Sequence, residues 1–164
     1  MKSMNVDLEL QNPYAFTVIP NKSECQQWVE AVLLAINYEK PCSLVIRFVD
    51  EEEGMALNHD FRNKDYATNV LSFPYEVSEV ELNIAELANS ENHIGDLVLC
   101  EKIVTDEANQ QKKVLIEHWA HLIIHGTLHL HGYDHLTGDQ AEAMESLEIE
   151  ILKKIGYTNP YNAS

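Results

Sequence analysis

The first residues of the chain alternate polar with apolar. In "NVDLEL" Val6, Leu8 and Leu10 share one face, the two-residue period of a β-strand. The period then lengthens. Ser23 with Gln26 three residues later fits a capping box, and Cys25, Val29, Leu33 and Ile36 follow at helical spacing until "EKP" ends the helix. "SLVIRFVD" (43–50) is rich in β-branched residues and predicts a second strand. Asp50 ahead of "EEE" predicts a helix start, because carboxylates are favoured at the positive end of the helix dipole, and this short helix carries Met55, Leu57 and Phe61. "NVLSF" predicts a third strand stopped by Pro74, and "GDLVLCE" (95–101) a fourth. Between these two, residues 75–93 carry glutamates, no lysine or arginine and no clear period, which predicts an acidic, partly mobile loop or edge insertion.

From residue 101 the pattern is helical. "EKIVTDEANQ" predicts a short amphipathic helix. The run from Val114 to His131, "VLIEHWAHLIIHGTLHLH", is apolar on nearly every side around Trp119, Ile123 and Leu128, and a helix of that kind is surrounded by protein. Asp139 is the expected cap of a last helix with Met144, Leu147, Ile151 and Ile155 facing inward, Lys153 and Lys154 in its final turn and Gly156 at its end. Strands early, helices late and one buried helix predict an α+β fold, a small mixed β-sheet packed with helices around that central helix. No repeat, linker or low-complexity tract divides residues 1–164, so a single domain is expected.

Composition narrows the class. With 45% hydrophobic and 23% charged residues the chain has the make-up of a soluble globular protein, and no apolar run has the length of a membrane span. "MKSMNVDLEL" lacks the apolar core of a signal peptide, so a cytoplasmic location is expected. Cys25, Cys42 and Cys100 are odd in number and widely spaced, which fits reduced structural thiols and neither a disulfide framework nor a zinc pair. A formal charge of −16 argues against an unspecific polyanion binder, but it leaves room for a nucleic-acid enzyme whose few cations gather at one cleft.

The densest chemistry lies in "HGTLHLHGYDH" (125–135). His125 and His129 are four residues apart on the central helix, which puts their side chains about 6 Å apart on one face. Gly132 can adopt the left-handed conformation that turns the chain back and brings His135 toward the same point. Three imidazoles with an open position are the ligand set of a catalytic zinc site, with Asp134 or a backbone carbonyl as an orienting partner. A lone histidine on a buried helix is ordinarily a hydrogen-bonded core residue. His118 and His121 are read as that or as partly exposed, and neither as a ligand, while His131 is left open. The spacing matches the metalloprotease pattern H-E-x-x-H-x-x-G-x-x-H at each histidine and at the glycine, a zincin-like arrangement. It departs at the general base, where Gly126 stands in place of glutamate.

"HGTLHLHGYDH", "FRNKDYATNVLSFP", "GDLVLC" and the closing "GYTNPY" together resemble the bacterial YbeY family of rRNA maturation factors and metal-dependent endoribonucleases. The resemblance runs through almost the whole chain. It implies one Zn²⁺ (or a substituting divalent transition metal) on His125, His129 and His135, with Arg62 as the key arginine and Lys64 beside it. It also implies cleavage of single-stranded RNA, maturation of the 3′ end of small-subunit rRNA and ribosome quality control. The implied partners are ribosomal RNA, the small ribosomal subunit and a ribosomal protein or assembly GTPase, with no membrane. His131 and the long acidic 75–93 stretch depart from the family's pattern. Chemically, a divalent ion and a planar guanidinium suit the charge that grows on a phosphodiester, and Arg47, mid-strand, is a second cation for the cleft floor unless it pairs with Asp50 or Asp96. Asp134, His131 and a water stand as alternative proton acceptors. The rival readings are a metal-dependent hydrolase of peptides or small esters, against which Gly126 counts, and a non-catalytic assembly factor with a scaffold zinc.

Overall fold

The computed structural model describes residues 6–62, 68–74, 93–133 and 137–161, with only the backbone of Phe61 and Arg62. Its elements run β1 (Val6–Gln11), α1 (Lys22–Ala35), β2 (Cys42–Val49), α2 (Glu51–Arg62), β3 (Val70–Pro74), β4 (His93–Cys100), α3 (Glu101–Gln110), α4 (Leu115–Leu130) and α5 (Gly138–Lys154). The expected α+β class is therefore the observed one. The strands form one mixed sheet in the order β1-β2-β4-β3, with β1, β2 and β4 parallel and β3 antiparallel to β4 at the edge.

Alternation along the strands divides the sheet into two apolar faces. Leu8, Leu44, Ile46, Phe48, Leu97 and Leu99 point to one side, where Trp28 and Val29 of α1 and Trp119, Ile123 and Ile124 of α4 complete the main core. Phe48 meets Trp119 edge to face at 5.4 Å, and the Trp119 indole N–H donates to the Val18 carbonyl, so its one polar atom is satisfied. Val49, Leu71, Val98 and Cys100 point the other way, with Leu57 of α2 and Ile103 of α3 packed against them. The sheet thus separates α4 from α2. Among the described residues no helix is long and apolar enough to cross a membrane.

Several local expectations shift by a few residues. Asn21, not Ser23, caps α1: its side chain accepts from the Glu24 N–H at 2.8 Å while the Glu24 carboxylate accepts from the Asn21 N–H at 3.0 Å. An Asn–Glu pair makes the same reciprocal box as Ser–Gln, two residues earlier. Thr137, not Asp139, caps α5, accepting from the Gln140 N–H at 3.2 Å, which leaves Asp139 in the first turn where its charge meets the helix dipole. Met55 is exposed, because the inward side of α2 is taken by Gly54 and the buried Asn58. Of the expected acidic insertion, 75–92 lie outside the described residues, and His93 is already the first residue of β4.

Candidate metal centre

Helix α4 owes its place to burial on nearly every side: Trp119, Ile123, Gly126 and Leu130 lie toward the sheet and α1, while a stripe of His118, His121, His125 and His129 lies elsewhere on its surface. Each histidine of the stripe is hydrogen-bonded, and His121 and His125 share one carboxylate. His118 Nε2 donates to Glu107 of α3 at 3.0 Å, and Asn69 bonds the same carboxylate. Burial would push the Glu107 carboxyl up, but these hydrogen bonds outweigh it and hold the group below its ordinary value. The reading of His118 as a hydrogen-bonded core residue matches this geometry.

His125 is gripped from behind. Its Nδ1 lies 2.8 Å from Oε2 of Glu148, a carboxylate on α5 that is fully buried. The other oxygen, Oε1, accepts from His121 Nε2 at 2.7 Å and from the Tyr161 hydroxyl at 2.5 Å. Burial alone would raise the Glu148 carboxyl, yet the bonds from His121, His125 and Tyr161 hold it at about 2. Burial also keeps His121 below its usual value despite its acidic neighbour, so that ring is neutral near pH 7. A neutral His121 donating from Nε2 carries a bare Nδ1, and that atom has no hydrogen-bond partner.

With Nδ1 of His125 facing an acceptor-only carboxylate, the proton sits there and the Nε2 lone pair points outward. It points at His129: the two Nε2 atoms are 3.0 Å apart, with ring centroids at 4.5 Å. Two imidazole nitrogens at that separation can both reach one ion at roughly 2.0–2.1 Å, and imidazole suits Zn, Cu, Fe or Ni. The donor set therefore fits a divalent transition metal. A second grouping overlaps it: His121, His125 and Glu148 each offer one ligand atom, all within 4.8 Å of one another, and could hold a metal ion. The sequence pattern set His121 aside as a core residue and did not bring out Glu148. A signal for Glu148 existed, since it falls four residues after Met144 and three before Ile151, on the inward stripe of α5.

Beyond α4 the chain turns as the glycine requires. Gly132 has φ +91°, and the N–H groups of Gly132 and Tyr133 return to the carbonyls of His129 and Leu128 at 3.0 and 3.1 Å. His135, Asp134 and Lys64 lie outside the described residues, as does the side chain of Arg62, whose backbone closes α2. His131 turns away: its Nδ1 donates to the Thr127 carbonyl at 3.1 Å and its ring lies edge-on to Tyr38 at 4.7 Å.

Gly126 has a steric reason. A Cβ there would stand 2.7 Å from a Leu97 methyl and 3.3 Å from the Ser72 hydroxyl, so this position packs against β3 and β4 instead of facing the histidines. Arg47 pairs with neither Asp50 nor Asp96. Its Nε and Nη2 donate to the two oxygens of Glu53 at 2.6 and 3.1 Å, and Nη1 donates to Gln11 at 3.0 Å. Asp50 instead caps α2 by accepting from the Glu53 N–H. Arg47 and Asp96 line a cavity of about 390 Å³ with Val45, Leu57 and Phe73, on the side of the sheet away from α4.

Comparison with known proteins adds the lineage. The model of the family described as Endoribonuclease YbeY matches residues 11–156. A protein named Endoribonuclease YbeY from Hydrogenovibrio crunogenus is 47% identical over 145 residues, 88% of this chain and 89% of the relative. One of the same name from Colwellia psychrerythraea is 44% identical over 94% of this chain and 96% of the relative, and one from Alkalilimnicola ehrlichii is 45% identical over 95% and 91%. Among solved structures, TM1509 from Thermotoga maritima superposes with a TM-score of 0.52 at 18% identity, covering 95% of this chain and 99% of that one, a likeness of fold. The family match takes in the histidine helix and β2, β3 and β4 of the sheet, and the chain belongs to the YbeY endoribonuclease family, enzymes that hydrolyse phosphodiester bonds.

Proposed function

We propose that the protein is a zinc-dependent, single-strand-specific endoribonuclease of the cytoplasm that acts in maturing the 3′ end of small-subunit rRNA and in ribosome quality control. The observation that supports this most is the pair of Nε2 atoms of His125 and His129, 3.0 Å apart and one turn before Gly132, in a chain of this family. In this reading one domain over 1–164 carries the site, and His125, His129 and His135 hold one Zn²⁺. When bound, the ion supplies Lewis-acid charge at the scissile phosphate and makes hydroxide available near neutral pH. The chain's own groups do the rest. Arg62 steadies the charge that develops on the non-bridging oxygens, and Lys64 binds the adjoining backbone. Arg47 has its guanidinium occupied by Glu53 and Gln11, so it contributes to holding α2 and not to the phosphate site. His131 is turned onto Tyr38 and Thr127 and is no proton acceptor here.

The formal charge of −16 makes binding to free RNA weak and salt-sensitive, with affinity supplied by the small subunit and by a ribosomal protein or assembly GTPase. The test is cleavage of single- and double-stranded RNA by purified protein, with EDTA, with Zn²⁺ restored, and for His129→Ala and Arg62→Ala variants prepared identically. Single-strand cleavage should vanish with EDTA, return with Zn²⁺, and fall by about a hundredfold or more in either variant. Cleavage that persists when the metal is gone refutes the reading.

A further inference from the structure

Glu148 is the one carboxylate that is buried among the described residues, and it lies in the joint between α4 and α5. A buried charge is costly unless its lone pairs are used, and a leucine there would pack without that cost. Its lone pairs are used by one histidine of the proposed cradle, His125, by His121 one turn earlier and by Tyr161 of the C-terminal segment. The arrangement suits a ligand histidine, whose second nitrogen ordinarily donates to a carboxylate that sets the ring's tautomer and raises its basicity. It also places a buried carboxylate directly behind imidazoles that would receive a divalent ion.

We propose that Glu148 is the positioning residue of the metal centre, holding His125 as the Nδ1–H tautomer so that Nε2 faces the ion, with His121 and Tyr161 holding Glu148 in turn. The proposal rests on the metal reading above. It competes with direct ligation by the group His121, His125 and Glu148, whose ligand atoms lie within 4.8 Å of one another. Both Glu148 oxygens are already at hydrogen-bond distance from ring nitrogens, and His125 Nε2 is already aimed at His129 Nε2, which favours the positioning role. Tyr161 then has a function of its own, since it ties the end of the chain to the histidine helix 40 residues upstream.

The experiment uses the full chain and reads metal instead of RNA. Zn²⁺ affinity is measured against a chromophoric chelator, the ligand field from the absorption of the Co²⁺-loaded protein, and the His125 tautomer in the apoprotein from ring ¹⁵N shifts. Wild type should show Nδ1–H at His125. Glu148→Gln should weaken Zn²⁺ binding by about 10- to 100-fold while leaving the Co²⁺ bands in place. Tyr161→Phe, which keeps the ring and removes only the hydroxyl, should cost about threefold or more. If Glu148→Gln does not fold, Tyr161→Phe and the wild-type tautomer carry the test. Native affinity in the variants, a Co²⁺ spectrum that shows a lost ligand, or an Nε2–H tautomer in wild type overturns the role of Glu148. Failure of wild type to take up Zn²⁺ overturns the metal centre itself, so the two failures are distinct.

Discussion

Replacing Gly126 probes why this protein lacks the carboxylate that metallopeptidases place after their first histidine. Glycine in a helix interior costs about 1 kcal/mol relative to alanine, so on propensity alone Gly126→Ala would stabilise. The structure opposes that gain. The new Cβ would stand 2.7 Å from Leu97 Cδ2, and Leu97 is fully buried between α4 and the sheet. Overpacking a closed core by one methyl costs about 1–3 kcal/mol, so the net effect should lie between neutrality and a loss of about 2 kcal/mol. For a chain of this size, each kcal/mol corresponds to roughly 2–4 °C in Tm. Gly126→Glu should cost about 3 kcal/mol or more, because its carboxylate enters the same contact without a partner. Calorimetry of the metal-free proteins measures both. A rise of 2–4 °C for Gly126→Ala would show that the space exists, and a stable Gly126→Glu protein that hydrolyses peptides would refute the steric account of the missing base.

Arg47→Met should destabilise by about 1 kcal/mol at pH 7, since a bidentate pair of partly exposed groups is lost. Glu53 is held below the usual carboxylate range by the hydrogen bond from Arg47, which outweighs its burial, with Tyr14 adding a second. A depressed folded-state pKa contributes stability above the unfolded value of about 4.3 that is lost as pH falls through the lower folded value. The gap between wild type and variant in urea unfolding should therefore close toward pH 3, and a gap independent of pH would refute the pairing. Burial pushes the Cys25 thiol up to about 12 and the Cys42 thiol to about 11, so neutral iodoacetamide should label them only as fast as the protein opens. Rapid labelling of the folded protein would contradict their burial.

The sequence by itself determined what depends on neighbours along the chain. Helical period placed His125 and His129 on one face, Gly132 marked the turn that follows, and apolar residues on every side announced α4 as the buried helix. Alternation marked the first strand, β-branched content the second and Pro74 the end of the third, and the length of the shared motifs identified the family. Caps were harder, because Asn21 and Ser23, or Thr137 and Asp139, are equally able to accept from a helix N-terminus, and only the backbone path selects one. Tertiary structure decided the rest. Glu53 outcompeted Asp50 and Asp96 for Arg47 because α2 lays it over that face of the sheet. Glu148 reaches His125 across 23 residues, and Tyr161 reaches His121 across 40, through the packing of α5 and the C-terminal segment on α4. Spacing encodes who shares a face of one helix, whereas convergence between elements is set by which buried surfaces fit together, and no local period records that.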